Sequence, residues 1–438
     1  MGRLVWFLLI VGLSPVMTAM CPSICQCSTN QTADCSSKKL MLVSSDTFKL
    51  SGNLLVLQLE NNLISSLSAN VFSSLTNLKR LDLDQNMLKD LPESLFMSLH
   101  ELTILYLNEN MLTTLPAKIF SNLENLIILW LQKNKIESLP SEIFKSQKNL
   151  KTLNLINNAL SKLDKEWFNS LVNLEFLALS NNQLVTIEED TFSKLINLKN
   201  LSLHHNQIRS IQDRAFSQMP KLEILWLYDN KLVEINDGIF IGATSIRALS
   251  LYNNQLTTIS SRAFETLTNL EQIYLDGNLL TSLDSSLLNS QNKLRMLELQ
   301  DNKLTSVNFE LLKPLNSLRT FNLSGNPLIC DCALWDVWLW WNAHFLNPMA
   351  TCRLPEASVI VSIREQLQNL TCNPEKSTNV QPTIKVQNAD DVKNLIVGCL
   401  VILIIISAML TGILIYIRLY KAKYHVQDML LPLEAERN

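Results

Sequence analysis

Glycine is scarce in this chain, with nine residues in 438. A glycine-rich loop that cradles phosphates needs several at fixed spacing, and no such stretch is present. Histidine is scarcer still, at five. The one close pair, His204 and His205, is adjacent rather than spaced as a helical or turn ligand pair. No Ser/His/Asp order and no metal-ligand set can be assembled from what remains. Neither sign of charge is in excess: 37 Lys and Arg stand against 40 Asp and Glu, for a net charge of −3. Nothing there calls for a nucleic acid or another polyanion. No enzyme activity, no cofactor, no metal and no nucleic-acid partner are therefore expected.

What is present is a period. Starting at Asn62, every step of 24 lands on asparagine: Asn86, Asn110, Asn134, Asn158, Asn182, Asn206, Asn230, Asn254, Asn278, Asn302 and Asn326. Each sits in the frame Leu-x-x-Leu-x-Leu-x-x-Asn-x-Leu, as in Leu78, Leu81, Leu83, Asn86 and Leu88. Ten residues after the asparagine comes a second marker, Phe72 through Phe264 at the same step and then Leu288 and Leu312. This is the leucine-rich-repeat pattern, and its period lies within the range of that class. The Leu-x-Leu segment predicts a short strand whose leucines point inward, because strand side chains alternate faces. The asparagine turns the chain and satisfies backbone groups of the adjoining turn. One unit cannot bury its own apolar face, so units stack around a shared core. The expected fold is an α/β solenoid, a leucine-rich-repeat horseshoe with a parallel concave sheet over residues 54–326.

The ends carry different signals. Residues 1–19 read as a signal peptide, with Arg3 ahead of the short apolar run 4–13. Nine cysteines fall as two clusters of four that bracket the repeats, plus Cys399. An even set in an exported chain reads as disulfides, and the Cys-x-Cys spacing does not suit zinc. Cys21, Cys25, Cys27 and Cys35 (within 20–53) resemble the N-terminal cysteine-rich cap of extracellular leucine-rich-repeat proteins. Cys330, Cys332, Cys352 and Cys372 (within 327–372) resemble the C-terminal cap. Sequence alone leaves the connectivity open. The resemblance implies first-to-third and second-to-fourth pairing, Cys21–Cys27 with Cys25–Cys35 and Cys330–Cys352 with Cys332–Cys372. Trp335, Trp338, Trp340 and Trp341 are expected to close the C-terminal end of the core.

A polar stalk, 373–394, leads to the apolar run 395–417, which is long enough to span a bilayer. Asp390 and Asp391 precede that run, and Arg418, Lys421 and Lys423 follow it, which places the C-terminus in the cytosol. The expected product is a single-pass plasma-membrane protein with its repeats outside. The tail, 418–438, offers a di-leucine sorting candidate at Leu430 and Leu431 but no length for a signalling domain, so signalling would need a co-receptor.

The outward columns of the strands should carry function. All four tyrosines ahead of the apolar run fall there. Tyr228, Tyr252 and Tyr274 with Trp226 form one candidate ligand-binding patch, and Tyr106 with Trp130 a second. Tyr and Trp cover area with few rotors and keep a polar tip, as interface anchors do. The bland alternative is that these rings merely stack along the ladder. Asp82 and Asp84, or Asp229 and Asp276, pair carboxylates only on an open surface, with no pocket to exclude water for acid–base chemistry. At the edge, Lys151, Glu175, Lys199, Glu223, Arg247, Glu271 and Arg295 alternate in sign, which predicts a ladder of weak surface ion pairs. Glycosylation sequons stand at Asn30, Asn200, Asn322 and Asn369.

Signal peptide, two caps, repeats, one apolar span and a short tail together resemble the single-pass receptors and adhesion proteins of the platelet glycoprotein V, Nogo receptor and carboxypeptidase N regulatory-subunit group. The resemblance implies a cell-surface protein that binds an extracellular protein or matrix ligand on its concave face. It also allows a regulatory or carrier subunit that stabilises an extracellular enzyme, although a carrier has no need of the 395–417 span.

Overall fold

The leucine positions set the strands. In the computed structural model, which describes residues 21–28, 31–44, 46–48, 53–344, 350–354 and 360–363, each repeat contributes one three-residue strand to a 14-stranded sheet. From Val56–Gln58 and Arg80–Asp82 to Thr320–Asn322 the strands pair in parallel and in chain order. Leu57 lies opposite Leu81, and Leu81 opposite Leu105, so the register is the sequence period itself. Those central leucines are fully buried, while their neighbours on either side project outward.

The sheet begins earlier than the asparagine count indicated. Thr32–Asp34, inside the cysteine-rich cap, pairs in parallel with Val56–Gln58, with Ala33 opposite Leu57. Gln26–Ser28 closes that edge as an antiparallel partner. Phe48 is likewise one period ahead of Phe72, fully buried, with the two rings 6.0 Å apart. The file that sequence reading starts at Phe72 therefore starts at Phe48. The step was hidden because Lys38 stands where its asparagine would be. The backbone N–H of Lys38 instead donates to Oδ1 of Asn62.

Opposite the sheet, phenylalanines of successive repeats meet ring to ring, with centroids 5.5 Å apart at Phe168–Phe192 and 6.5 Å at Phe96–Phe120. Hydrogen-bonded strands lie only about 4.8 Å apart. The phenylalanine side is thus the wider one, and the strand face is concave.

The asparagine ladder does more than turn the chain. Oδ1 of Asn86 accepts from the Ile64 N–H of the preceding repeat at 3.0 Å. Its Nδ2 donates back to Leu59 O at 2.9 Å and within its own repeat to Leu83 O at 3.1 Å. Asn206 and Asn326 repeat the arrangement, each stitching two repeats together. The residue before each ladder asparagine is left-handed: Asn61 at φ 54°, Glu109 at 54°, His205 at 52°, then Gly277 at 62° and Gly325 at 70°. A side chain there carries a steric cost of about 1–2 kcal/mol. The ladder bonds hold the turn regardless, and glycine relieves the strain in two repeats.

At the C-terminal end, Asp331 caps the helix Cys332–Ala343 by accepting from Leu334 N at 2.9 Å. Trp341 is fully buried with its ring 4.9 Å from Phe321 of the last strand, and Trp340 meets the same ring edge-on. Trp335 and Trp338 pack partly buried against the core. The four tryptophans therefore shield the open end of the leucine core from water. Among the described residues no helix is long and apolar enough to cross a membrane. The expected signal peptide, stalk, span 395–417 and tail lie outside the described residues.

Candidate functional site: the concave strand face

Two outward positions of each strand build the face. In the middle strands it is aromatic. The Tyr228 ring stacks on His204 at 4.3 Å on one side and on Tyr252 at 4.4 Å on the other, with interplanar angles of 10° and 9°. Trp226 meets Tyr228 edge-on at 6.5 Å, and His205 meets it at 5.4 Å. Tyr274 stands two strands from Trp226 with the buried Ser250 between them in register, and its hydroxyl donates to Gln272 Oε1 at 3.3 Å. All four predicted residues share one face and are half-buried.

Sequence spacing presents His204 only as a failed metal ligand, whereas in the structure it is a stacking partner. Its membership of the Tyr228 and Tyr252 column was the available signal. Burial first, and the neighbouring His205 second, push the His204 pKa down from 6.5 to about 4, so the ring is neutral. His205 instead faces Asp229, at 3.3 Å.

The smaller patch is also assembled. Tyr106 and Trp130 lie 4.5 Å apart on adjacent strands. The Arg80 guanidinium sits 5.0 Å over the Tyr106 ring while Nε contacts both carboxylate oxygens of Asp82, at 2.9 and 3.0 Å. Next to this group the face is acidic. Burial, and then the Asp82 charge, push the Asp84 pKa from 3.8 up to about 6. Glu60 is raised too, chiefly by burial.

The period, the ladder and the sheet are those of a known class. A Leucine rich repeat model matches residues 35–88, 76–132, 124–184 and 268–328, and a BspA type Leucine rich repeat region model (6 copies) matches residues 161–294. Together the matches run unbroken from 35 to 328, two thirds of the chain. The chain belongs to the leucine-rich-repeat family.

No curated protein matches the sequence significantly. Among solved structures, a chain of the Drosophila Toll–Spatzle complex (glycosylated form) is similar with a TM-score of 0.63 and 23% identity, over 76% of this chain and 54% of that one. The present chain thus spans about half the length of that relative. A chain of the octameric complex of Latrophilin 3, Unc5D and FLRT2, in which FLRT2 supplies the leucine-rich repeats, gives 0.59 and 23%, over 78% and 97%. A leucine-rich-repeat protein of Leptospira interrogans gives 0.56 and 27%, over 71% and 81%.

The remaining predicted positions distribute around this leucine-rich-repeat scaffold. Cys21 is bonded to Cys27, Cys25 to Cys35 and Cys330 to Cys352. Cys332 is also disulfide-bonded, and Cys372, its expected partner, lies outside the described residues. Asn200 and Asn322 are half-buried on outward strand positions, and Asn322 Oδ1 accepts from the Ser324 N–H and hydroxyl of its own sequon. Asn30 and Asn369 lie outside the described residues. In the edge column Glu175 bridges Lys151 and Lys199 at 3.2 and 2.7 Å, and Glu271 bridges Arg247 and Arg295 at 2.9 and 3.8 Å. Glu223, between these groups, makes no ion pair among the described residues. The alternation therefore resolves into two clusters rather than one continuous ladder. These surface pairs are screened by solvent and contribute little to stability.

Proposed function

We propose that the protein is a cell-surface receptor or adhesion protein that holds an extracellular protein or matrix ligand on its concave strand face. Trp226, Tyr228, Tyr252 and Tyr274 are the anchors, with Tyr106 and Trp130 as a second contact. The observation that carries this reading is the His204–Tyr228–Tyr252 stack, three rings in file on a face whose backbone is already satisfied by the ladder. Stacked rings are held in place before a ligand arrives, so little side-chain freedom is lost on binding. Protein partners are also what the Toll–Spatzle and FLRT2 complexes contain, on the same fold.

Residues 1–19 serve as signal peptide, 395–417 as the single span and 418–438 as cytoplasmic tail, in the manner of the platelet glycoprotein V and Nogo receptor group. A signalling co-receptor is a further partner in this reading. Surface proximity labelling around the chain on its native cell names candidate ligands, and direct binding then tests them against the Trp226→Ala, Tyr228→Ala, Tyr252→Ala, Tyr274→Ala variant. Loss of binding by tenfold or more is expected. A ligand that binds the variant as well as the parent places the site elsewhere. Antibody staining of a C-terminal tag only after permeabilisation checks the topology.

A further inference from the structure

The first strands of the same face carry a chemistry that the aromatic patch lacks. Glu60, Asp84, Asn108 and Gln132 occupy one outward column on four consecutive strands. Backbone bonds fix them side by side: Asn61 N to Asp84 O at 3.1 Å, Gln85 N to Asn108 O at 3.0 Å, and Glu109 N to Gln132 O at 2.9 Å. Asn108 follows the inward, fully buried Leu107, so its side chain points to the same outer face as Tyr106 and into the row between Asp84 and Gln132. It is 6% exposed, yet its Oδ1 has no hydrogen-bond partner among the described residues. Glu60 Oε2 and Gln132 Oε1 are orphaned in the same way. A buried carbonyl left without a donor costs about 1–3 kcal/mol, and one strip collects three such acceptors.

The charges on the strip point the same way. Arg80 is committed to Asp82 and Lys133 to Glu109, at 2.9 and 3.1 Å. Glu60 and Asp84 have no ion-pair partner among the described residues. The strip is thus a run of acceptors in search of donors, with two uncompensated carboxylates and a tyrosine–tryptophan pair at its side.

We propose that this strip, Glu60–Asp84–Asn108–Gln132 flanked by Tyr106 and Trp130, is a docking site for an arginine-bearing segment of a partner protein. Arginine is favoured over lysine because the site already holds one guanidinium in this way. The Arg80 guanidinium sits over the Tyr106 ring while its Nε donates to both Asp82 oxygens, a ring contact combined with a delocalised N–H donor that a lysine ammonium does not reproduce. An incoming arginine would do the same with Asp84 and Trp130 and give its remaining donors to Asn108 and Gln132. The proposal rests on the concave face being the binding face, but not on the aromatic patch.

The test uses the full chain in detergent and a fluorescent octapeptide of alternating arginine and glycine, with citrulline and lysine counterparts, followed by fluorescence polarisation. The arginine peptide is expected to bind at least tenfold tighter than the citrulline peptide and several-fold tighter than the lysine peptide. Glu60→Gln with Asp84→Asn, nearly isosteric changes whose folding is checked by thermal melting, should weaken it at least tenfold. Trp226→Ala with Tyr228→Ala should leave it unchanged. Equal binding of the citrulline peptide, or unchanged binding to the folded Glu60→Gln, Asp84→Asn variant, overturns the site. Equal binding of the lysine peptide overturns the stacked guanidinium mode. Loss in the Trp226→Ala, Tyr228→Ala variant alone moves the peptide to the aromatic patch and leaves the proposed function standing without this strip.

Discussion

The first strands of the concave face and the middle strands share one backbone, and both carry rings, but only the first strands set a row of acceptors beside them. Glu60, Asp82, Asp84 and Asn108 offer acceptors, whereas His204, Trp226, Tyr228 and Tyr252 offer rings. The inward residues at both places are the same leucines, equally buried. Because the ladder asparagines and central leucines fix every strand, the outward columns vary without disturbing the fold. One solenoid therefore displays two surfaces of different character, and the comparison breaks first where the ladder does.

Asn206→Ala removes one amide that bridges two repeats. It leaves the Leu184 N–H without a partner in the interior, while the Leu179 and Leu203 carbonyls each lose one donor but keep those of Asn182 and Asn230. A loss of about 3 kcal/mol is expected, from one orphaned buried donor at about 1–3 kcal/mol and two further lost bonds at about 0.5–1.5 kcal/mol each. Chemical denaturation of the parent and the variant measures it. A loss below about 1 kcal/mol would mean that the leucines alone hold the register. By contrast, Tyr228→Ala, which deletes a ring stacked on both sides, should cost about 1–2 kcal/mol from two aromatic pairs. It should still weaken a concave-face ligand at least tenfold. A stability loss as large as that of the ladder variant would make the rings structural and count against their role as anchors.

The two regions should also answer acid in opposite directions. The Asp84 pKa in the folded protein lies above its ordinary 3.8, at about 6. The folded state therefore takes up the proton first, and stability is lost as pH rises across that window. Asp84→Asn should recover on the order of 1 kcal/mol at pH 7, a figure reduced by the solvent that still reaches the group, and only a small part of that at pH 4. The His204 pKa lies below its ordinary 6.5, at about 4. Its contribution is complete above pH 6.5 and is lost as pH falls toward 4. His204→Gln should therefore gain about 1 kcal/mol relative to the parent on going from pH 7 to pH 4. Melting curves of both variants at the two pH values check the pair of signs. Two shifts of the same sign would mean that the face behaves as one electrostatic region.

Much of this was legible in the residues. The strands, their parallel order, the inward leucines and the cap tryptophans follow from period and composition, because a solenoid repeats its contacts as strictly as its sequence. The left-handed residue ahead of each ladder asparagine was not read, since Asn61, Gln85, Glu109, Lys133 and His205 share no chemistry. Only Gly277 and Gly325 gave a hint. The extra step at Phe48 was hidden by Lys38. The candidate residues fell on the face as expected, but pairing and burial came from the coordinates. His204 as a stacking ring and Asn108 as an orphaned amide depend on what the adjacent strands place beside them, which spacing along one chain does not display.

The inward columns should tolerate variation only at a cost, and Gln147 provides the mildest test. It stands where Leu99, Leu123 and Leu171 stand in neighbouring repeats, and it is fully buried. Its Nε2 donates to Phe120 O at 2.7 Å and Leu123 O at 3.2 Å, while its Oε1 has no partner. Both carbonyls are already engaged, by the N–H groups of Leu123 and Leu126 at 3.0 and 3.2 Å. Leucine at 147 would thus remove an orphaned acceptor and leave no new one. Gln147→Leu should stabilise the fold by about 0.5–1 kcal/mol. Gln291→Leu, with the same arrangement against Phe264 and Leu267, should add a similar amount independently. Thermal melting of the single and double variants decides it. Destabilisation would mean that glutamine at this step holds its neighbours in a way leucine does not, and that the inward columns are less uniform than the ladder makes them look.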